Sequence, residues 1–286
     1  MSRTLQCMNA IAVVAIVALF DFAGATQACG QAIDKPQGSL TVTAAEIRGW
    51  RKQLAEVSKP PRSLPEGWSK SRLDPERLVA VFPALSVKPT CVLRAYLYKQ
   101  GGNGNGFVWA LPKDAEFPEP ADSPRLESHF LRPPKPFDAL DDVMEAIGGD
   151  DSPLSYLQAS LLRRSLKEFG AEWHGIRWGA ESVLDQAPWG EDPSVDEDVP
   201  AARPMSTRNE WKWTTAAPND WRPTIAWEAD KVTVRFYSYT ALGHAAGVGE
   251  REKERILLHT DAYRRRNYRP LTSDKKIAEG PHMIMF

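Results

Sequence analysis

The stretch CVLRAYLYKQGGNGNGFVWALP, residues 91–112, constrains the fold of this chain more than any other. Apolar residues occupy alternate positions on both sides of its glycine-rich centre, and a period of two is typical of β-strands with one buried face. Asn-Gly occurs twice at the centre, and both residues tolerate the positive φ angles of tight hairpin turns. The pattern predicts an antiparallel hairpin in which residues 91–98 pair with residues 107–111 and GGNGNG forms the tip.

The same glycines raise the question of a nucleotide site. A P-loop needs Gly-x4-Gly-Lys-Ser/Thr before a helix, and a dinucleotide site needs Gly-x-Gly-x-x-Gly before a helix. Here a strand pattern follows, the P-loop lysine is missing, and Phe107 stands where a third glycine would have to follow Gly102 and Gly104. The sequence therefore predicts a turn here and no cofactor.

A second hairpin is predicted in the last third of the chain, where residues 224–228 and 232–240 flank a tight turn at Ala229-Asp230. A two-residue turn gives a register in which apolar residues face apolar residues and opposite charges face each other. Residues 254–264 predict a third strand. The expected pairs of the hairpin are Glu228 with Lys231, Trp227 with Val232, and Ile225 with Val234.

Two helices are predicted from their capping residues. Thr43 and Glu46 form a capping box before apolar residues at helical spacing, and this helix should end near Ser58 because prolines follow. Ser152-Pro153 is a favoured cap and first position for a second helix, which Gly170 ends. Apolar residues line one face of that second helix, between Leu154 and Phe169.

Shorter patterns complete the secondary structure: residues 78–82 predict a strand, and Asp138 caps a short helix that ends at Gly148-Gly149. Together the elements predict an α+β fold with antiparallel β-hairpins in the N- and C-terminal halves and a helical segment between them. Residues 41–286 are expected to form a single α+β domain, because neither half alone has a complete alternating sheet. Two halves, 41–136 and 137–286, are the alternative.

Residues 1–25 have the three parts of a secretory signal peptide: an early positive charge, a short apolar run, and small residues before a cleavage site. The apolar run is shorter than the ~20 residues that a membrane-spanning helix needs. We expect cleavage near Ala25, with Ala28 or Ala32 as alternatives, and a flexible leader over residues 26–40. The mature chain, without a transmembrane segment, is then expected in the periplasm, at the cell surface or in the medium.

Two cysteines remain after cleavage, Cys29 and Cys91, and an exported protein can oxidise them to one disulfide or keep two separate thiols. Lipid attachment at Cys29 is disfavoured, because the polar Gln27 lies where a lipoprotein signal is small and apolar. The formal net charge of −1 gives no electrostatic basis for binding nucleic acid. The sequence also lacks Cys-x-x-Cys and His-Glu-x-x-His, so it predicts no metal site.

Two strand segments share the pattern Arg-x-Tyr-x-Tyr, on the face opposite smaller apolar residues. Either an internal duplication or ordinary strand composition explains the similarity. Tyrosine rings can stack on sugars while guanidinium groups hold an anion, so the pattern predicts a surface for a glycan or another anionic envelope component. The opposing possibility is that helices cover the tyrosines as core. The candidate ligand-binding residues are Arg94, Tyr96, Tyr98, Arg235, Tyr237 and Tyr239.

His259 and Asp261 alternate along the predicted third strand, where they can act as an acid–base pair on one face. The sequence has no Gly-x-Ser-x-Gly nucleophile motif beside them. Arg264-Arg265-Arg266 either binds phosphates, acidic polysaccharides or lipid head groups, or protects a strand edge. The sequence thus favours a non-catalytic binding or structural protein of the cell envelope or medium, and an envelope hydrolase is the alternative.

Overall fold

The computed structural model of this chain describes residues 38–58, 66–120, 133, 135–173, 176–177, 181–189, 208–240 and 253–283. The predicted signal peptide, its cleavage site, most of the leader and Cys29 lie outside these residues. The described helices are α1 (Ala44–Val57), α2 (Glu76–Ala80) and α3 (Pro153–Lys167). None of them combines the length and the apolar character that crossing a bilayer requires.

The described strands form a seven-stranded sheet, a five-stranded sheet and a two-stranded sheet, and all of their pairings are antiparallel. In chain order they are β1 (Gly38–Thr41), β2 (Gly67–Lys70), β3 (Leu85–Val87), β4 (Cys91–Gln100), β5 (Asn103–Pro112), β6 (Ile147–Gly149), β7 (Glu172–Trp173), β8 (Ile176–Arg177), β9 (Ser182–Leu184), β10 (Lys212–Trp213), β11 (Thr224–Trp227), β12 (Lys231–Thr240), β13 (Lys253–Arg264) and β14 (Leu271–Met283).

The seven-stranded sheet has the order β1-β11-β12-β13-β14-β10, and β9 pairs with the far end of β12. The predicted register of its hairpin is confirmed, since Trp227 pairs with Val232 and Ile225 with Val234. The predicted third strand is also confirmed as β13, which pairs with β12 along the full length of β12. β14 was not predicted from the sequence, because the residues that follow Leu271 in its first half are all polar.

The five-stranded sheet has the order β2-β4-β5-β7-β8 and contains the first predicted hairpin. Its strands pair as expected but run further, because Gln100 pairs with Asn103 and the turn is only Gly101-Gly102. Gly101 has a φ of 57°, which favours glycine. The prediction that all of GGNGNG forms the tip is therefore wrong, and its Asn-Gly repeats belong to β5.

The capping residues of the two long helices are confirmed. The Thr43 side chain accepts a hydrogen bond from the Glu46 backbone N–H, while the Glu46 carboxylate accepts one from the Thr43 N–H. The Ser152 hydroxyl caps α3 by accepting from the Ser155 N–H at 3.3 Å. Gly170 follows α3 with a φ of 70°, as expected for a residue that ends a helix.

Two shorter predictions are wrong. Residues 78–82 do not form a strand: they belong to α2 and the turn after it, where the Phe82 N–H donates to the Val79 carbonyl. An apolar run this short does not distinguish a strand from a buried helix. The helix predicted from Asp138 is reduced to a 3₁₀ helix, Val143–Ala146, that Asp142 caps and β6 follows.

α3 lies between the two larger sheets and carries the central core. It contacts β5 on one side and β11 and β12 on the other, so every residue from Ser155 to Leu162 is buried. Leu97 of β4 and Val234 of β12 belong to the same apolar cluster. The fold is thus mostly antiparallel β-sheet with a few helices, which fits both an α+β and a mostly-β description.

Candidate functional site

The tyrosines of the first Arg-x-Tyr-x-Tyr segment do not form an open surface. Tyr96 is only 3% exposed and Tyr98 only 7% exposed. Phe117 stacks on Tyr96 with a centroid distance of 4.4 Å, and Trp68 lies 5.3 Å from Tyr98. The Tyr96 hydroxyl donates to the Pro118 carbonyl at 2.7 Å. Burial, helped by the charge of nearby Glu119, raises the pKa of Tyr96 to about 12.

The expectation of an exposed tyrosine face on β4 is therefore wrong. The segment that covers it is the loop after β5, residues 113–120, and not a helix. Strand periodicity shows which side chains share a face, but it does not show whether a loop folds back over that face. The prolines after β5 are typical of a loop, but the sequence does not show that this loop crosses the face of the sheet.

Arg94 remains exposed at the edge of this covered face. It lines a cleft of about 330 Å³, the Arg94 cleft, together with Lys70, Arg72, Asp74 and Phe117 among others. One guanidinium N–H of Arg94 donates to the carbonyl of the preceding residue at 3.1 Å, which orients the side chain. The Lys70 ammonium lies 5.7 Å from the centre of the Phe117 ring. The cleft thus combines three cations with one aromatic wall.

The second segment, on β12, lies under a different aromatic cluster. Tyr239 is buried, and its hydroxyl donates to Glu254 at 2.8 Å; burial and this carboxylate raise the Tyr239 pKa. Tyr237 is half-buried, with its ring 5.3 Å from that of Trp221. Of the three candidate residues in this segment, only Arg235 is exposed. The tryptophans packed around this face are Trp189, Trp211, Trp213 and Trp221.

The structure does not bring the two segments together into one surface. The side chains that alternate with them, such as Leu97 on β4 and Phe236 on β12, point into the core around α3. The two Arg-x-Tyr-x-Tyr faces therefore each point away from the core around α3. Whether they arose by duplication stays a prediction.

His259 and Asp261 lie on the face of β13 that turns toward α3, and both are buried. They share this face, as alternation predicts, but each has other partners. Asp261 Oδ2 accepts a hydrogen bond from Arg164 of α3 at 2.9 Å. His259 Nδ1 lies 2.7 Å from Asp274 Oδ1, and its Nε2 lies 2.8 Å from Glu181 Oε1. The expected acid–base pair is thus two separate contacts within one buried ionic network.

Strand register creates this network, and register could not be read from the sequence for β14. Asp274 of β14 pairs directly with His259, and Phe236 of β12 pairs with it on the other side. The Phe236 ring stacks on the imidazole at 4.8 Å, and the Arg164 guanidinium lies 4.3 Å from the Phe236 ring centre. Sequence reasoning missed Arg164, Glu181 and Asp274, because strand pairing and tertiary packing bring them to this network and no local pattern connects them with His259.

Ser238 adds a third contact to the histidine. Its hydroxyl lies 2.7 Å from His259 Nε2, so Ser238, His259 and Asp274 are connected in the order of a serine hydrolase triad. Ser238, however, is fully buried, and Glu181 occupies the same imidazole nitrogen. A substrate carbonyl has no room to approach the hydroxyl, so this arrangement stabilises buried charge.

The electrostatics of Glu181 support this conclusion. Burial alone would raise its pKa, but hydrogen bonding and charge from His259, the charge of Arg164 and a hydrogen bond from Ser238 lower the pKa to about 2. The Arg164 pKa is raised: its own burial lowers it, and the charges of Asp261 and Glu181 outweigh that effect. Glu181 and Arg164 therefore stabilise each other's charged forms.

Within the described parts of the chain, no three His, Cys, Asp or Glu side chains are arranged to hold a metal ion. Cys91, at the start of β4, is half-buried. No protein-family model, curated protein or solved structure matches this chain.

Proposed function

We propose that this chain is an exported, non-catalytic binding protein, and that the Arg94 cleft holds a ligand in which a carboxylate is attached to a sugar ring. An acidic oligosaccharide of the cell envelope or its surroundings is such a ligand. The observation that carries the proposal is the convergence of Lys70, Arg72 and Arg94 beside the Phe117 ring.

The charges at the cleft favour an anion. Three cations line it against one carboxylate, Asp74. Lys70 pairs with Glu119 at 2.8 Å, but Glu119 is largely exposed and Lys70 partly exposed, and such surface pairs contribute only about 0–1 kcal/mol. A ligand carboxylate can therefore replace Glu119 at little cost. The planar guanidinium of Arg94 suits a carboxylate, because two of its N–H groups can donate in parallel.

The aromatic wall favours a ring next to the anionic group. Phe117 is held by its stacking on Tyr96, and the Tyr96 hydroxyl in turn holds the backbone at Pro118. A fixed aromatic surface accepts the apolar face of a sugar with little loss of conformational freedom. Tyr96 thus supports the ligand surface from beneath.

The buried network around His259 supports a non-catalytic function over the alternative of an envelope hydrolase. An acid–base pair must come within hydrogen-bond reach of the substrate. His259 is 1% exposed, and carboxylates face both of its ring nitrogens.

Titration of the purified protein with oligogalacturonate, followed by calorimetry, tests the proposal. Arg94→Gln should weaken binding about tenfold, as expected for loss of a hydrogen bond to a charged group. Arg235→Gln is the matched control, because Arg235 is an exposed strand arginine of the other Arg-x-Tyr-x-Tyr segment. It should bind like the parent protein, and the neutral oligogalactose should not bind to either.

Three results would overturn the proposal. The first is failure of the parent protein to bind oligogalacturonate at millimolar concentration, which excludes this ligand class. The second is equal binding by Arg94→Gln and the parent, which removes the cleft from the interaction. The third is loss of binding in Arg235→Gln alone, which moves the site to β12.

A further inference from the structure

Two hairpin tips and the start of α3 meet at one end of the seven-stranded sheet. The β11–β12 turn at Ala229-Asp230 lies beside the turn that follows β13, and the Arg265 N–H donates to the Asp230 carbonyl at 3.0 Å. Asp151, just before α3, joins them. Between these parts lies a cleft of about 580 Å³, the arginine-turn cleft. Its lining residues are Asp151, Ala229, Asp230, Arg264, Arg265 and Arg266.

The backbone of this cleft is held in an unusual conformation. Asp151 and Arg266 both have a φ of 62°, which residues other than glycine seldom adopt. The two are joined directly, because the Arg266 N–H donates to the Asp151 carboxylate at 3.1 Å and to the Tyr156 hydroxyl at 2.8 Å. Backbone held in this way is found most often where geometry serves binding or catalysis.

Buried tyrosines form a rigid base under the cleft. Tyr156 stacks on Tyr268 with a centroid distance of 5.0 Å and an angle of 16° between the rings. The Tyr268 hydroxyl accepts from the Asp151 N–H at 3.0 Å and lies 2.8 Å from the Ser155 hydroxyl. The arginine backbone is thus positioned before any ligand arrives, which lowers the entropic cost of binding.

The charges of the cleft are not balanced within the protein. Arg265 is paired with Asp151 at 2.8 Å, which uses the Asp151 carboxylate. Among the described residues, the Arg264 side chain has no ion pair, and Arg266 reaches Asp151 only at 3.8 Å. Lys231 of β12 pairs directly across from Arg264, and like charges at such positions are destabilising. An anion bound here would relieve that repulsion.

Protection of a strand edge does not explain the three arginines. β13 lies between β12 and β14, so Arg264 is on an interior strand. Arg265 and Arg266 belong to the turn, where an exposed ladder of backbone groups is absent. Of the two explanations that the sequence left open, the anion site fits the observed topology.

We propose that the arginine-turn cleft binds a phosphate group, as a second ligand site that does not depend on the Arg94 cleft. A phosphate dianion offers several oxygens and about two negative charges, which suits the guanidinium groups of Arg264 and Arg266 that line the cleft. The positive end of the α3 dipole, adjacent to Asp151, adds a smaller favourable field. Asp230 lines the same cleft and opposes the anion.

This arrangement gives a test with effects in both directions. In calorimetric titrations with inorganic phosphate at low salt, Arg264→Gln should weaken binding about tenfold, because a charged hydrogen-bond donor is lost. Asp230→Asn should strengthen binding about two- to fivefold, because one exposed repulsive charge is removed. Arg94→Gln should leave phosphate binding unchanged, and Arg264→Gln should leave oligogalacturonate binding unchanged.

A second arm identifies the source of the phosphate. Flotation with vesicles of phosphatidate in phosphatidylcholine, compared with phosphatidylcholine alone, distinguishes a lipid head group from a free phosphate. Binding to these vesicles that Arg264→Gln weakens and Asp230→Asn strengthens supports the site with a lipid as ligand, even if free phosphate binds poorly. The proposal is overturned if the parent protein binds neither probe, or if both variants bind like the parent.

Discussion

At the scale of single residues, His259 shows how one side chain can have the partners of a catalytic base without the access. Its ring nitrogens face Asp274 and Glu181, and in the imidazolium form both N–H groups can donate to a carboxylate. Burying several charges is costly unless each is paired. Arg164 provides that pairing from α3, since it contacts Glu181, Asp261 and Asp274. The network therefore fixes α3 on the sheet.

The contribution of this network to the stability of the fold can be measured through its dependence on pH, because Glu181 titrates within it. Its pKa is about 2 in the folded protein against an ordinary value of 4.5, so its ionised form stabilises the fold. That stabilisation is complete above pH 4.5 and is lost as the pH falls toward 2. Urea unfolding of Glu181→Gln should show a loss on the order of 3 kcal/mol at pH 7, shrinking toward pH 2.

The control for this prediction is Glu228→Gln, which changes an exposed carboxylate at a hairpin turn. Its unfolding free energy should stay within about 0.5 kcal/mol of that of the parent at pH 7 and at pH 2.5. If Glu181→Gln loses stability equally at pH 7 and pH 2.5, the charge of Glu181 is not what stabilises the network, and the assignment is wrong.

At the scale of elements, the sequence predicted hairpins and capped helices well because their signals are local. The turn at Ala229-Asp230 and the caps at Thr43 and Ser152 are set by residues a few positions apart. The Arg94 cleft was found only in part, because Lys70 and Phe117 reach Arg94 through sheet pairing and a returning loop. Contacts of this kind depend on the tertiary fold, which no local pattern contains.

GGNGNG illustrates the difference between local and tertiary causes. A side chain at Gly106 would place its Cβ 2.3 Å from the Phe169 carbonyl and 2.9 Å from a Leu97 methyl. This glycine therefore allows the turn that follows α3 to pack against β5, and it is not needed for the hairpin turn. Glycine is required at this position because the backbones at Gly106 and Phe169 approach each other closely, and the spacing of residues in the sequence did not reveal this contact.

Gly106→Ala should accordingly destabilise the protein by about 2 kcal/mol or more, because the Phe169 carbonyl belongs to the backbone and cannot move freely. Gly49→Ala is the matched control, since nothing lies within 4 Å of a Cβ there and the residue is in α1. Alanine favours a helix, so the control should be neutral or stabilising by up to about 1 kcal/mol. Equal melting temperatures for the two variants would contradict this account of Gly106.

At the scale of the whole molecule, each of the two larger sheets contains strands that lie far apart in the sequence. β1 pairs with β11 in the seven-stranded sheet, while β7 pairs with β5 in the five-stranded sheet. α3 packs on both sheets, and its central turns are buried on all sides. Both proposed ligand clefts lie at the periphery of this common core, so substitutions there are expected to alter binding and leave the fold intact.

The shared helix predicts that the two sheets unfold together. Leu162→Ala, at a fully buried position of α3, should cost about 2–5 kcal/mol and lower the hydrogen-exchange protection of β4 and of β12 alike. Phe117→Ala is the control, because Phe117 packs on the outer aromatic cluster of the five-stranded sheet. It should lower protection near β4 and leave β12 unchanged. If Leu162→Ala loosens one sheet alone, the two sheets are separate cooperative units, and α3 does not couple their unfolding.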